Sequence, residues 1–570
     1  MRAGFLFRIR ILTGAIVLIS ALILLRLYVV QVVNGDRYAA LADTQYTRPA
    51  NSIYDRGTVF FEDKEGRRVA AATVKSGYLL AITPAKITDR EATFRQLSAL
   101  VPLERSEFFM RVEKTDDPYE EIAHKVPSEA AQAIEALKLP GVSTYREHWR
   151  YYPGGMLAPQ TVGFEGFAED KRTGLYGLER YYNDTLTRQS KNLYANFFAE
   201  IFSNIGTTLF AKERARSGDV VTSIEPSVQS QLEKTLADIQ EKYSSKYTGG
   251  IIINPKTGSV YALGVLPSFD PNDYGNAENP DVYRNPLIEN VYEMGSIIKP
   301  ITMGIGLDAG VVTPQTTYDD KGFLTLDGYT IRNYDGRGRG VVPMQEVLNQ
   351  SLNTGVAYIA SQVGTRKFGD YLKEFGLGTE TGIDLPNETV GLTDNLDSPR
   401  AIEYATASYG QGIALTPIAT VRALSALANG GVLVTPHVAK EIEYESGASK
   451  KVSFPEDGQV ISKEASETLT RMLVGVVDTA LMGGKAKMEH YSIAAKTGTA
   501  QIAKVAERGY YDDRYLHSFF GYFPAYDPQF LVFLYTIEPK NVQYASETLT
   551  APFMDMAQFL ISYYNVPPDR

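Results

Sequence analysis

The chain has 570 residues and a formal net charge of −10, with 44% hydrophobic and 22% charged residues. This composition is typical of a globular protein and excludes wholesale disorder, and a prior of roughly 150 residues per domain predicts two to four structural units. The acidic balance, without a basic stripe, argues against nucleic acid as a partner. Cysteine is absent, which excludes disulfides, thiolate catalysis and cysteine-based metal sites.

The few histidines argue against a metal centre as well. No pair of them has the close spacing that is typical of a metal-ligand set. They are His124, His148, His437, His490 and His517. We therefore predict neither a metal nor another cofactor, and we expect any catalysis to use hydroxyls, lysines or carboxylates.

The N-terminal region reads as a membrane anchor. Residues 11–33, ILTGAIVLISALILLRLYVVQVV, are long enough to cross a bilayer, which needs about 20 residues. Three arginines in residues 1–10 place that tail in the cytoplasm and the rest of the chain outside. The alternative is a cleaved signal peptide ending near Ala40-Leu41-Ala42, although the apolar run exceeds the usual 7–15 residues.

Residues 34–214 are predicted to form a mixed α+β domain without a catalytic constellation. Strands are indicated around Thr58–Phe61 and Val69–Val74, where β-branched residues flank a charged turn. Between residues 85 and 140 the apolar residues follow helical spacing, and Pro140-Gly141 ends that pattern.

Residues 215–570 begin a second domain with a strand and a helix. The helix places four apolar residues on one face, namely Val228, Leu232, Leu236 and Ile239. The segment GGIIINPKTGSVYALGVL then predicts a β-hairpin. Helical patterns cover residues 342–364 and 416–431, strands cover residues 517–525 and 530–537, and a last helix covers residues 552–564. Strand pairs on both sides of a helical middle predict an α+β sheet.

The segment Glu293-Met-Gly-Ser-Ile-Ile-Lys-Pro300 contains the strongest catalytic signal. A serine three residues before a lysine shares a helix face with it. A serine hydroxyl needs a base to take its proton, and a desolvated Lys299 with a lowered pKa would be such a base for Ser296. A single such pair is more often a solvated helix face, but this one is unique in the chain and lies in an apolar context.

Two further motifs follow in the chain. Ser351-Leu352-Asn353 supplies a hydroxyl for a proton relay and an amide that can bind a substrate carbonyl. Read in isolation, this motif is more typical of a helix cap or turn. Lys496-Thr497-Gly498-Thr499 supplies one cation and two hydroxyls for a carboxylate, and its glycine permits close approach of a substrate backbone. A second Lys-Thr-Gly, at Lys256, lies at the predicted hairpin tip and is interpreted as turn chemistry.

The ordered set Ser-x-x-Lys, Ser-x-Asn and Lys-Thr-Gly resembles the motifs of penicillin-binding proteins. Several longer segments resemble the class B members in particular: RLYVVQVVNGDRYAALAD, YYPGGMLA, YGLERYYNDTL, GGIIINPKTGSVYALG and ASYGQGIALTPIATVRALSALANGG. The resemblance covers nearly the whole chain. It implies an α+β fold: an N-terminal transmembrane helix, a pedestal or dimerisation-like domain, and a transpeptidase domain. That last domain would have an antiparallel sheet with helices on both faces and an all-helical subdomain.

The resemblance also implies roles for the site residues. Ser296 would attack a D-Ala-D-Ala stem peptide, Lys299 would take its proton, and Ser351 would relay that proton to the leaving amine. Asn353 would orient the donor peptide. The terminal carboxylate would be held by Lys496, Thr497 and Thr499, next to Gly498. The backbone N–H groups of Ser296 and Thr499 would form the oxyanion hole, and a β-lactam would trap Ser296 as a stable acyl-enzyme.

The implied function is a peptidoglycan D,D-transpeptidase that acts in cell division. It would be a single-pass protein of the bacterial plasma membrane with an extracytoplasmic catalytic domain. Expected partners are stem peptides, lipid II-derived glycan, β-lactams, a polytopic membrane glycosyltransferase and other divisome or elongasome proteins. A D,D-carboxypeptidase shares every acylation residue and stays open, as does a β-lactam sensor or non-catalytic binding protein. The region before residue 215 is too short for the extra glycosyltransferase domain of a bifunctional class A enzyme.

Overall fold

The computed structural model describes residues 18–21, 55–169, 171–188, 217–277, 279–504 and 509–570. The strands are β1 Val59–Glu62, β2 Arg68–Ile82, β3 Glu120–Val126, β4 Val142–Tyr151, β5 Glu165–Ala168, β6 Lys171–Gly174, β7 Gly218–Thr222, β8 Tyr247–Ile253, β9 Val260–Leu266, β10 Thr317–Asp320, β11 Phe323–Leu326, β12 Tyr329–Arg332, β13 Gly340–Pro343, β14 Val432–Val434, β15 Ala439–Tyr444, β16 Ser449–Lys451, β17 Glu456–Gln459, β18 Ala494–Ala503, β19 Tyr510–Phe523 and β20 Phe530–Ile537.

The α-helices lie between and after these strands. They are Arg90–Ser98, Arg105–Val112, Ser128–Ala136, Pro159–Val162, Gly177–Tyr181, Asn183–Leu186, Pro226–Tyr243, Pro286–Glu289, Lys299–Asp308, Met344–Asn349, Asn353–Val363, Thr365–Glu374, Ala401–Ala407, Pro417–Ala428, Lys463–Gly475, Ala545–Thr548 and Thr550–Tyr564. The strand, helix and hairpin predicted after residue 215 are confirmed as β7, Pro226–Tyr243 and the β8–β9 pair.

The chain divides into two compact units, and most of the described part of the smaller one is Lys75–Trp149. In this unit the later half of β2 pairs antiparallel with β3, with Tyr78 opposite Val126 and Ile82 opposite Glu120. Three helices cover this small sheet and enclose its own apolar core. The core includes Leu80, Ile82, Leu97, Phe108, Val112 and Ile134. The predicted α+β character of this region is therefore confirmed.

The larger unit contains the described parts of Arg56–Val74, Arg150–Gln189 and Asn196–Arg570. Its central element is an antiparallel sheet with the strand order β18-β19-β20-β8-β9. Strands that end the chain therefore pair with strands from near the beginning of the unit, as in Val532 opposite Ile252. This closure explains why the helical middle of the sequence separates two strand-rich regions.

Both faces of this five-stranded sheet are covered by helices. Ile252 packs with Leu232 and Phe553, which come from the helices Pro226–Tyr243 and Thr550–Tyr564. Its neighbours Ile251 and Ile253 belong to the larger core on the opposite face. The alternation follows from the two-residue period of a strand. The predicted sheet with helices on both faces is confirmed.

The larger core contains the helix Lys299–Asp308, in which residues 299–306 are all buried. It packs against the helices Asn353–Val363 and Lys463–Gly475. A helix that is buried on every side has no solvated face on which a lysine would ordinarily lie. Lys299 at its first position therefore needs a specific chemical explanation.

A buried ionic cluster lies elsewhere in the larger unit. Glu179 accepts hydrogen bonds from Nε of Arg56 at 2.7 Å and from Nε of Arg150 at 2.5 Å. Arg56 also donates to the backbone oxygen of Glu179 at 2.8 Å, and Arg150 donates to that of Gly57 at 2.7 Å. Burial disfavours the charged carboxyl, but attraction by Arg150 and Arg56 outweighs this and holds the pKa of Glu179 below its usual value.

The predicted membrane anchor falls mostly outside the described residues. Of residues 11–33, the structure describes residues 18–21, and these are helical. Among the residues that are described, none of the helices has the length and apolar character needed to span a bilayer. The cytoplasmic tail predicted for residues 1–10 also lies outside the described ranges.

Candidate active site

The predicted nucleophile lies on a tight turn that leads into a buried helix. Gly295–Ile298 form a 3₁₀ turn, and the α-helix begins at Lys299. Gly295 has a φ of +65°, and a Cβ at this position would lie 2.9 Å from the carbonyl oxygen of Thr499. Both observations require glycine. The turn therefore brings half-buried Ser296 close to the third motif.

The predicted base is completely buried. Lys299 has an exposed fraction of 0%. Its Nζ donates to the backbone oxygen of Ser351 at 2.5 Å and to Oγ of Ser351 at 3.1 Å. In this structure Nζ of Lys299 is therefore hydrogen-bonded to the second motif.

The second motif interrupts what the sequence presents as one helix. Residues 342–364 have continuous helical spacing, but the structure contains two helices, Met344–Asn349 and Asn353–Val363. Ser351 lies between them with a φ of +54°, in the left-handed region that serine seldom adopts. The single helical pattern predicted here is wrong, because Ser351 turns the chain to direct its hydroxyl toward two lysines.

The third motif lies on β18. Nζ of Lys496 donates to Oγ of Ser351 at 3.1 Å and to the backbone oxygen of Thr497 at 2.9 Å. Lys496 is 3% exposed, whereas Thr497 and Thr499 are half-buried. The hydroxyl of Ser351 thus lies between the Nζ atoms of Lys299 and Lys496.

Gly498 permits close packing of β18 on the nucleophile turn. A Cβ at Gly498 would lie 2.3 Å from Oγ of Ser518 and 2.8 Å from the backbone oxygen of Met294. Ser518 itself donates to that Met294 oxygen at 2.9 Å. Any side chain at Gly498 would therefore push β18 away from the turn that carries Ser296.

Burial and like charge change the protonation of both lysines. Desolvation lowers the pKa of Lys496 to about 7. Desolvation and then the charge of Lys496 lower the pKa of Lys299 well below its usual value of 10.5. Within the described ranges neither lysine forms an ion pair. Both effects favour the neutral amine of Lys299, which is the form that can act as a base.

The remaining predicted residue, Asn353, lies at the start of its helix. Its Nδ2 donates to the backbone oxygen of Arg332 at 2.8 Å. The hydroxyl of Thr499 accepts a hydrogen bond from the N–H of Ala545 at 3.0 Å, which leaves its own proton available to a ligand. The structure thus brings all three predicted motifs together.

The alternative Lys-Thr-Gly is remote from this cluster. Lys256 is exposed on the turn between β8 and β9 and pairs with Asp527. Its neighbour Gly258 has a φ of +82°, as a tight turn requires. The interpretation of this second motif as turn chemistry is consistent with its position.

Sequence reasoning missed a buried carboxyl in the same segment as Ser296. Oε1 of Glu293 accepts from the N–H of Gly412 at 3.0 Å and from the hydroxyl of Tyr510 at 3.1 Å. Its Oε2 is buried without a hydrogen-bond partner among the described residues. Burial raises the pKa of Glu293 above its usual value. Its position three residues before the serine was the only available signal.

Two exposed aromatic residues adjacent to the motifs were also missed. The rings of Tyr334 and Tyr544 meet edge to face with centroids 6.0 Å apart. Tyr544 immediately precedes Ala545, which binds Thr499, and Tyr334 is two residues after Arg332, which binds Asn353. Their exposed rings offer apolar surface beside the site.

Comparison with known proteins matches two families. Residues 248–557 match the penicillin-binding protein transpeptidase domain, and residues 55–194 match the penicillin-binding protein dimerisation domain. Stage V sporulation protein D of Bacillus subtilis is 32% identical over 554 residues, covering 94% of this chain and 82% of that protein. Peptidoglycan D,D-transpeptidase FtsI of Buchnera aphidicola is 26% identical, covering 99% of this chain and 96% of that protein.

Solved structures share the fold. Penicillin-binding protein 3 of Mycobacterium tuberculosis, in complex with aztreonam, aligns with a TM-score of 0.69 and 23% identity, covering 91% of this chain and 98% of that one. Penicillin-binding protein 2X of Streptococcus thermophilus aligns with a TM-score of 0.72 and 18% identity, covering 90% of this chain and 81% of that one. At these identities the likeness establishes the fold alone.

Proposed function

Because the chain belongs to the penicillin-binding protein transpeptidase family, we propose that it cross-links peptidoglycan as a serine D,D-transpeptidase. The observation that carries the proposal is the hydroxyl of Ser351 held between the buried Nζ atoms of Lys299 and Lys496. Two neighbouring buried amines without a carboxylate partner are costly to keep charged, and such arrangements are typical of active sites.

Acylation would begin at Ser296. Its Oγ attacks the carbonyl carbon between the two D-alanines, and its proton passes to neutral Lys299. The backbone N–H groups of Ser296 and Thr499 would hold the resulting oxyanion, each contributing about 3–4 kcal/mol. The segments that carry them meet where Gly295 approaches Thr499.

Collapse of the tetrahedral intermediate breaks the C–N bond. The leaving D-alanine amine takes a proton from Lys299 through the hydroxyl of Ser351, which hydrogen-bonds both lysines. Asn353 would orient the donor peptide, and Lys496, Thr497 and Thr499 would hold the terminal carboxylate. The amine of a second stem peptide then attacks the carbonyl carbon of the acyl-enzyme and gives a proton to Lys299. The bond between that carbon and Oγ of Ser296 breaks, and Oγ takes the proton from Lys299.

Labelling with a fluorescent penicillin tests the acylation step. Wild-type protein should form a covalent adduct, and Ser296→Ala should form none, because the acylated oxygen is removed. Ser190 lies in another Ser-x-Asn and offers a matched control in Ser190→Ala, which should label normally. Equal labelling of Ser296→Ala and wild type would refute the assignment of the nucleophile.

The acceptor of the acyl group is tested separately. With a thioester donor and added D-alanine, a transpeptidase transfers the acyl group to the amine, whereas a carboxypeptidase hydrolyses the donor. We expect exchange with D-alanine to exceed hydrolysis. Purely hydrolytic turnover would replace the transpeptidase proposal with that of a D,D-carboxypeptidase.

We further propose that residues 11–33 anchor the protein in the plasma membrane, with residues 1–10 in the cytoplasm. Outside the membrane, residues 34–214 would form the pedestal domain and residues 215–570 the catalytic domain. A polytopic membrane glycosyltransferase and other divisome or elongasome proteins are the proposed partners, as the resemblance to class B penicillin-binding proteins implies. Full-length protein should fractionate with membranes and collect at division sites. Uniform lateral distribution would contradict the role in division.

A further inference from the structure

A buried carboxylate outside the three motifs contacts the turn that contains Ser351 and Asn353. Asp320 ends strand β10 and is 2% exposed. It forms no ion pair with any lysine, arginine or histidine in the described ranges. A buried carboxylate is expensive unless hydrogen bonds compensate it, so its donors show where its charge acts.

The donors to Asp320 come from four separate positions. Oδ1 accepts from the N–H of Gly322 at 3.0 Å and from Oγ1 of Thr354 at 2.8 Å. Oδ2 accepts from the N–H of Arg339 at 3.1 Å. Nδ2 of Asn333 lies 3.0 Å from both carboxylate oxygens. All of these donors are neutral, and a charged acceptor strengthens each hydrogen bond.

The same donors hold the Ser351–Asn353 turn from its C-terminal side. Thr354 directly follows Asn353, and its N–H donates to Oδ1 of Asn333 at 3.2 Å. Asn353 donates through Nδ2 to the backbone oxygen of Arg332, the residue before Asn333. The carboxylate thus fixes Thr354 directly and the segment that receives Asn353 through Asn333.

The turn needs such support because of its backbone. Ser351 has a φ of +54°, and a non-glycine residue keeps a left-handed conformation only where surrounding contacts determine it. The hydroxyl of Ser351 must also stay within 3.1 Å of Nζ of both Lys299 and Lys496. A small shift of this turn would break the hydrogen bonds that carry the proton.

We propose that Asp320 is a positioning residue for acylation, acting through Thr354 and Asn333 to hold Ser351 and Asn353 in their reactive geometry. This inference rests on the proposed function, because it assigns Asp320 to the same reaction. Asp320 itself touches neither the nucleophile nor the two lysines by any hydrogen bond in the described structure. It acts through the hydroxyl of Thr354.

The sharpest test removes that hydroxyl and then restores it. Thr354→Val keeps the shape of the side chain and loses the hydrogen bonds of the hydroxyl to Asp320 at 2.8 Å and to Oδ1 of Asn333 at 3.0 Å, whereas Thr354→Ser keeps the hydroxyl. With a chromogenic penicillin, we expect Thr354→Val to lower the limiting acylation rate constant at saturating penicillin at least tenfold. Thr354→Ser should stay within threefold of wild type.

Thr248→Val is the matched control for loss of a buried hydroxyl. Thr248 is buried on β8, bonded to Oγ1 of Thr536 at 3.1 Å, three strands from β18. The Thr248→Val variant should have a melting temperature as low as that of Thr354→Val, while its acylation rate constant stays within twofold of the wild-type value. This control separates a lost hydrogen bond in general from loss of the one beside Ser351.

Substitution of the carboxylate itself completes the test. Asp320→Asn replaces one carboxylate oxygen, which accepts hydrogen bonds, with an NH₂ group, which donates them. Both oxygen positions face hydrogen-bond donors, so either orientation of the amide loses at least one of these hydrogen bonds. We expect acylation by Asp320→Asn to be at least as slow as that by Thr354→Val, in protein that retains cooperative thermal unfolding.

Two outcomes would overturn this inference without affecting the proposed function. In the first, the acylation rate constant of Thr354→Val stays within twofold of the wild-type value. In the second, Thr354→Val and Thr354→Ser lower that rate constant equally. The second outcome would assign the effect to packing rather than to the hydroxyl. Failure of wild-type protein to be acylated would instead overturn the proposed function and this inference with it.

Discussion

Two buried clusters of cationic residues differ in one respect. Arg56 and Arg150 share Glu179, so the negative charge between them compensates part of their desolvation. Lys299 and Lys496 share a neutral hydroxyl instead. The first arrangement keeps its groups ionised, whereas the second favours loss of a proton. The cluster that contains a carboxylate is thus structural, whereas the cluster that lacks one is reactive.

The largest expected effect comes from removing the unpaired base. Lys299→Met keeps the length of the side chain and removes the amine, so the acylation rate constant should fall by about 10²–10⁴. The free energy of unfolding should not fall, because the variant removes a buried amine that has no carboxylate partner among the described residues. Stopped-flow penicillin acylation and denaturant unfolding measure the two quantities. Acylation at the wild-type rate would exclude Lys299 as the base.

The opposite pattern is expected when the paired cluster is broken. Glu179→Gln removes the negative charge that the two buried guanidinium groups share and should lower the free energy of unfolding by about 3–5 kcal/mol. Acylation by the folded fraction should remain within about twofold of wild type, since the cluster does not contact the site. Glu65→Gln is the control, because Glu65 forms an exposed ion pair with Arg67. This variant should lower the free energy of unfolding by at most about 1 kcal/mol.

The like-charge coupling is tested by pH. Acylation requires neutral Lys299, so its rate should rise with pH through a pKa well below 10.5. Above pH 7 the wild-type rate should decline as Lys496, with a pKa of about 7, loses the charge that holds the carboxylate. Lys496→Gln removes the neighbouring charge, so the rising limb should move to higher pH. A rising limb at the same pH in both proteins would contradict the coupling.

The smallest effect is expected at the alternative motif. Lys256 forms an exposed pair with Asp527, and such pairs contribute about 0–1 kcal/mol. Lys256→Ala should therefore change acylation less than about twofold and barely alter stability. A large loss of acylation in this variant would mean that the wrong Lys-Thr-Gly had been assigned.

The predictable parts of the molecule are those with a local signature. The β8–β9 hairpin follows from its turn residues, and the Pro226–Tyr243 helix follows from its apolar spacing. The three motifs were recognisable because each is a short pattern and their order is informative. The dense apolar context also indicated that Lys299 would be desolvated.

The parts that escaped prediction depend on contacts between distant positions. Glu179 lies 123 residues from Arg56, and Asp320 lies 34 residues from Thr354, so no local pattern relates either pair. The break at Ser351 was hidden because its flanking apolar residues continue the helical period. Only the surrounding hydrogen bonds determine that the chain turns there.

The position of β18 at the end of its sheet has a consequence for recognition. Among the described strands it pairs on one side, with β19, so the backbone of Thr497 and Thr499 has an outer edge to offer a peptide. A peptide that bound there as a sixth strand would be held by main-chain hydrogen bonds. Its strand direction and backbone chirality would then matter more for binding than the identity of its side chains. Stem peptides that differ in their side chains would then be accepted equally, and selectivity would fall on the D-configured end beside Lys496.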